Sequence, residues 1–221
     1  MATDDQVLID TRDMNAVHGA FRRAFGDAPG QITSVTDGDR QRARQLADYL
    51  GEVLWLLHAH HAGEDELLYP LLAERAPEHQ DLFSRMDAQH SGMLSNIEET
   101  GQATERFGAS GAKADGQAAA GAYETLLVVT DKHLGEEEEE VLPIAARVIT
   151  PPEWGALPAH AIQHYSGQRL WLAFGLVLEA MPDDIRENML SQIPPPVSGM
   201  WFGGGADSFA KEMAMVRGGA A

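Results

Sequence analysis

The 221 residues include no cysteine. Disulfides and thiolate-bound metals are thereby excluded, and a reducing compartment is expected. Positive charge is scarce as well: 16 Lys and Arg stand against 34 Asp and Glu, for a formal net charge of −18. That balance argues against nucleic acid and against an anionic membrane surface as partners. It favours attraction of cations. The strongest apolar run, residues 170–178, is too short to span a bilayer. The opening MATDDQVLID has neither a basic stretch nor an apolar one, so no secretion signal is expected and the chain reads as cytoplasmic.

What the chain does contain is a repeated stretch. His60-His61-Ala62-Gly63-Glu64-Asp65-Glu66-Leu67-Leu68-Tyr69-Pro70 returns as His133-Leu134-Gly135-Glu136-Glu137-Glu138-Glu139-Glu140-Val141-Leu142-Pro143. His60 and His133, Glu64 and Glu137, and Pro70 and Pro143 are each 73 residues apart. On a helix, positions i and i+4 lie one above the other on the same face. The imidazole and the carboxylate of each copy can therefore reach one ion together. A further histidine precedes each copy at nearly the same distance: 42 residues separate His18 from His60, and 43 separate His90 from His133.

Apolar residues at steps of three and four outline four helices, each with a histidine on or beside its apolar stripe. The first has Asp10 as N-cap, carries Met14, Val17, Phe21 and Phe25, and is expected to end in the stretch 26–30, which holds Gly26, Pro29 and Gly30. The second should start after Asp37 and reach about Arg75, with Leu46, Tyr49, Val53, Leu56, Leu57, His60, Glu64 and Leu67 as its stripe; Pro70 should bend or end it. The third starts at Ala76-Pro77 and carries Leu82, Met86, His90, Met93 and Ile97. A small-residue linker is expected over 108–116, and then a fourth helix with Leu126, Val129, His133, Glu137, Val141 and Ile144 on one face. Thr150-Pro151-Pro152-Glu153 reads as a capped helix start, leading to His160 and His164. Proline and glycine triplets at 194–196 and 203–205 read as breaks, with a last helix near 208–216. The expected fold is all-α. An antiparallel four-helix bundle covers residues 10–148, with a C-terminal helical appendage, 151–221, that covers the bundle or forms a subunit contact such as a homodimer.

The candidate ligands are His18, His60, Glu64, His90, His133 and Glu137. Without sulfur, four imidazoles and two carboxylates suit iron, and less selectively manganese or zinc. Each carboxylate can bridge two ions, leaving open positions for water or a small ligand. His61 lies about 100° round the helix from His60, with Glu64 between them, so it is a candidate extra ligand or a donor to a bridging carboxylate. His164 and Tyr165 of the appendage compete for that place. A single His-x-x-x-Glu is usually a surface pair; two copies at one offset, each with its preceding histidine, change that reading. His58 and His79 are set aside, and Glu136, Glu138 and Glu140 are read as a solvated face.

The pattern His18…His60-x-x-x-Glu64…His90…His133-x-x-x-Glu137 resembles the haemerythrin-like, His-His-Glu cation-binding domain, over roughly residues 10–148. The remainder is similar to extensions of actinobacterial members. The resemblance implies a bundle around two non-haem iron ions, with Glu64 and Glu137 as bridges. Oxygen-carrying members have a second histidine on the third helix; here position 94 is Leu and position 86 is Met. The expected function is a di-iron protein that binds or senses dioxygen, nitric oxide or peroxide. The rivals are a di-iron oxidase, oxygenase or catalase-like peroxidase, and iron storage or iron sensing. No catalytic base or nucleophile stands apart from the ligand set.

Overall fold

The computed structural model describes residues 9–164 and 169–218, and the regular elements among them are helical. Helix α1 spans Arg12–Thr33 and α2 spans Arg40–Gly63, with Asp39 accepting the Arg42 N–H as N-cap. A π-helical turn, Glu64–Leu68, carries α2 into α3, Tyr69–Arg75. After a 3-10 turn at Pro77–His79, α4 runs over Gln80–Ser110. α5, Lys113–Glu136, passes through a second π turn, Glu137–Val141, into α6, Leu142–Val148. α1 packs along α5, α5 along α4 and α4 along α2, which closes a four-helix bundle.

The two π turns answer the two prolines. Pro70 has no N–H to offer the carbonyl four residues back, and its ring crowds that carbonyl. Admitting one extra residue into the preceding turn relieves both problems. The Tyr69 N–H bonds to the Glu64 carbonyl, five residues back, and the Leu142 N–H bonds in the same way to Glu137. The helix therefore neither ends nor breaks at Pro70. The extra residue also shifts the register: Leu68, Tyr69 and Leu72 are buried, whereas Leu67 is only half-buried.

Three more expectations are corrected. α1 does not stop at 26–30 but continues through Pro29 to Thr33, because Ala28 and Ile32 extend its buried stripe and keep it packed. Its N-cap position is Thr11; the Asp10 carboxylate instead accepts the Arg12 N–H at 3.1 Å. The linker at 108–116 shrinks to Gly111 and Ala112, since α4 reaches Ser110 and α5 begins at Lys113.

Two apolar layers fill the bundle. Phe21, Phe25, Leu46, Leu50, Leu57, Phe107, Tyr123 and Leu126 form one. Met14, Leu68, Leu72, Phe83, Met86, Val141, Leu142 and Ile144 form the other. The buried polar side chains His18, His61, Glu64, His90, His133 and Glu137 fall along the chain between members of the two layers.

The C-terminal region folds as α7 (Pro151–Trp154), α8 (Ala156–His164), α9 (Leu170–Ala180), α10 (Asp183–Gln192), α11 (Pro195–Met200), a π turn (Trp201–Gly205) and α12 (Ala206–Val216). The Glu153 carboxylate reaches back to the Thr150 N–H at 2.9 Å, as the capping pattern requires. The expected break at 203–205 is present: Gly204, at φ +124°, leaves the helical conformation and kinks the chain ahead of α12. Leu172 and Leu176 of α9 and Met213 and Val216 of α12 join the first apolar layer. Arg42 donates to the Met215 and Val216 carbonyls at 2.7 and 3.0 Å, satisfying acceptors that a helix end leaves open. Trp154 Nε1 donates to the Asp13 carboxylate, and Arg75 pairs with Glu153. No described helix is long and apolar enough to cross a membrane.

Gly111 ends α4 at φ +64°, and a Cβ there would sit 2.9–3.0 Å from the backbone of Asp39 and Arg40. Gly111→Ala should therefore destabilise the apo-protein by about 1–3 kcal/mol. A thermal midpoint equal to that of the unmodified chain would contradict this packing.

Candidate metal centre

Four helices deliver the predicted ligands to one place. α1 supplies His18, α2 supplies His60 and His61, the first π turn opens on Glu64, α4 supplies His90, α5 supplies His133, and the second π turn opens on Glu137. Their donor atoms fall into two groups, each with its atoms within 4.8 Å of one another: His18, His60, Glu64 and Glu137, and His61, Glu64, His90 and His133. Glu64 belongs to both. Its Oε1 lies 3.1 Å from His60 Nε2 and its Oε2 3.6 Å from His90 Nε2, one oxygen toward each group. Glu137 Oε2 lies 3.5 Å from His18 Nε2 and 3.8 Å from His133 Nε2. All these side chains but His60 are buried, and His60 exposes 9% of its side chain.

The outer nitrogens are committed. His18 Nδ1 lies 2.9 Å from Glu138 Oε1, His90 Nδ1 lies 2.7 Å from Asp65 Oδ1, and His133 Nδ1 lies 2.9 Å from Gln89 Oε1. Gln89 is itself oriented, because its Nε2 donates to Glu136 at 2.8 Å. Each acceptor holds the proton on Nδ1 and leaves the Nε2 lone pair facing inward. His90 Nε2 and His133 Nε2 then face each other at 3.0 Å, and His18 Nε2 faces His60 Nε2 at 3.2 Å. Both oxygens of Glu64, both oxygens of Glu137 and Nε2 of His61 are buried without a hydrogen-bond partner.

Bare lone pairs and orphaned carboxylate oxygens converging in a dry interior are costly, on the order of several kcal/mol for an uncompensated buried charge. The electrostatics agree. Burial, and then the charge of Glu137, pushes the Glu64 carboxyl well above the usual carboxylate range. Burial, and then the neighbouring imidazoles, holds His60 and His61 well below the usual histidine range and brings His133 down to about 3. Such imidazoles are neutral near pH 7, which is the form that coordinates metal. Cations seated between these groups would satisfy every orphaned atom, so the residues fit a metal centre.

Residues 10–145 match the protein family described as Hemerythrin HHE cation binding domain. The chain belongs to that family. Neither the curated proteins nor the solved structures compared with it gave a match. It is thus a metal-binding helical protein with the haemerythrin bundle and additional C-terminal helices.

Within this haemerythrin-family bundle, His61 is 4% exposed, its ring stacks on His90 at 4.3 Å between centroids, and it meets His133 edge-on at 5.1 Å. Leu94, at the place where oxygen carriers have a histidine, points outward and is 50% exposed. The His164 side chain and Tyr165 lie outside the described residues. His58 is exposed.

The reading of the acidic run as a solvated face is corrected at Glu138. Its side chain is 24% exposed, bonds His18 and accepts from Arg22 Nη1 at 2.6 Å. Burial opposes ionisation there, but the bonds from His18 and Arg22 bring the Glu138 carboxyl down to about 2. Glu136 accepts from Gln89 and Arg85, and Glu140 pairs with Arg85. Asp65, Gln89 and Glu138 were not legible as site residues. The signal that could have found two of them is the repeat itself, since Asp65 and Glu138 each directly follow a repeated Glu and are also 73 residues apart.

Loss of an acceptor that orients a liganding imidazole typically costs about 10–100-fold in metal affinity. Asp65→Asn and Glu138→Gln should each weaken iron binding by that order in chelator competition, with the fold intact by circular dichroism. Affinity equal to the parent in both variants would remove the orienting role.

Proposed function

We propose that this protein is a non-haem di-iron protein that binds or senses dioxygen, nitric oxide or peroxide. The observation that carries the reading is the division of the donors into two groups that share Glu64. Five imidazoles and two carboxylates would hold the ions, with His18, His60 and Glu137 toward one and His61, His90 and His133 toward the other. A sulfur-free nitrogen and oxygen set of this kind suits iron, with manganese or zinc as less selective occupants. When bound, the iron pair supplies the redox and Lewis-acid chemistry for a small ligand.

The chain's own residues supply the rest. Asp65, Gln89 and Glu138 hold protons on the outer imidazole nitrogens and so fix the inward-facing lone pairs. The two apolar layers keep bulk water from the carboxylates. Burial also favours a diatomic gas or peroxide over a bulky organic substrate, since the most open donor, His60, shows only 9% of its side chain.

Anaerobic iron loading of the apo-protein should give two ions per chain. Optical bands that change on adding oxygen, nitric oxide or peroxide and return when the ligand is removed support the binding role. Steady catalytic loss of peroxide would move the protein to the enzymes, and uptake of many ions per chain would move it to iron storage. Glu64→Ala should weaken both ions together. A second ion held as tightly as before would count against the shared carboxylate. Removing iron should lower the thermal midpoint by about 10 °C when the metal stands a thousandfold above its dissociation constant. An unchanged midpoint would contradict a buried centre.

A further inference from the structure

The two halves of the repeat support their ligands differently from outside. In the second half, His133 Nδ1 lies 2.9 Å from Gln89 Oε1, Gln89 Nε2 donates to Glu136 at 2.8 Å, and Arg85 donates to Glu136 at 3.3 Å. Gln89 directly precedes His90, Glu136 stands three residues after His133, and Arg85 stands five before His90. Counted in the same way from His18 and His60, the first-half counterparts are Val17, Gly63 and Asp13. The Val17 side chain can accept no hydrogen bond, and Gly63 has no side chain with which to hold an acceptor in place.

The C-terminal helices dock on these first-half positions instead. A Cβ at Gly63 would lie 3.3 Å from the His160 ring of α8, His160 Nε2 lies 3.0 Å from Glu66 Oε2, and Trp154 Nε1 of α7 donates to Asp13 at 3.1 Å. None of these groups bonds His60. Among the described residues, the hydrogen-bond and ion-pair partners of His60 are His18 at 3.2 Å and Glu64 at 3.1 Å, both on Nε2. Its Nδ1 has no acceptor among them.

The imbalance falls on one donor group. His18, His90 and His133 have their Nδ1 held by Glu138, Asp65 and Gln89. His61 lacks such an acceptor too, but it shares its group with two held imidazoles, and its ring stacks on His90. The His18–His60 group has one held imidazole. The carboxylates do not offset the difference, because each lies between the groups: Glu64 is 3.1 Å from His60 and 3.6 Å from His90, and Glu137 is 3.5 Å from His18 and 3.8 Å from His133.

We propose that His60 is the loosely held ligand of the centre, so that the ion at His18 and His60 is exchangeable and the ion at His61, His90 and His133 is resident. The inference rests on the two-ion reading above. An imidazole whose outer N–H has an acceptor is the better oriented and more basic ligand. The His18–His60 position is therefore filled last and emptied first, and its occupancy follows the free iron concentration.

The test is iron release from the full-length, iron-loaded chain to a ferrous chelator without oxygen. The parent should lose one iron about tenfold faster than the other. Glu138→Gln should quicken only the fast phase, because Glu138 holds His18. Asp65→Asn should quicken only the slow phase, because Asp65 holds His90. Val17→Gln copies the second half into the first and should slow the fast phase about tenfold. Gln89→Val makes the opposite exchange, should quicken the slow phase by a similar factor, and serves as the test if Val17→Gln does not fold. Two irons that leave the parent at one rate would overturn the proposal alone. So would Asp65→Asn acting on the fast phase, or release unchanged by both exchanges. A parent that held fewer than two irons would overturn the two-ion reading, and this inference with it.

Discussion

Everything in this bundle answers to one constraint: two carboxylates lie in a dry layer of imidazoles. Among the described residues, Glu64 and Glu137 pair with histidines and with no Lys or Arg. The nearest guanidinium chemistry is one step removed, at Arg22 on Glu138 and Arg85 on Glu136 and Glu140. A bundle that excluded cations would be cheaper with leucine at 64 and 137. The polar layer is therefore costly to keep unless cations or protons occupy it, and burial already pushes the Glu64 carboxyl well above the usual carboxylate range.

The way the helices meet this constraint is local. A proline six residues after each shared-face glutamate disfavours an ordinary α turn, and a π turn stands there instead. The same wide turn places the carboxylate at its start and re-aims the side chains beyond it. Tyr69 and Leu142 occupy the same step of the two turns, so the turn sets their direction and the residue type sets what that direction means.

This is also where the sequence was readable and where it was not. The clustering of the six spaced candidates was legible because His60, Glu64, His133 and Glu137 repeat at one offset of 73 residues and a histidine precedes each pair at nearly equal distance. His61 was legible from angular position alone. Asp65, Gln89 and Glu138 were not, because an acid in a charged run is usually solvated and nothing local distinguishes one that meets an imidazole from another helix. Propensity misled at Pro29, where burial of Ala28 and Ile32 outweighs the missing N–H. Periodicity misled at Leu67, because counting in steps of three and four cannot anticipate a turn with an extra residue.

Two of the three hydrogen bonds to the outer nitrogens cross between the halves. Asp65, from the first half, orients His90 in the second; Glu138, from the second half, orients His18 in the first, 120 residues earlier in the chain. Neither half carries a self-sufficient ion site, since each borrows its proton control from the other. Closing contacts of such long separation is slow, as the entropy of the intervening chain must be lost first. As the chain leaves the ribosome, His18 emerges long before its partner. The centre can therefore close only once both halves have been made and packed together.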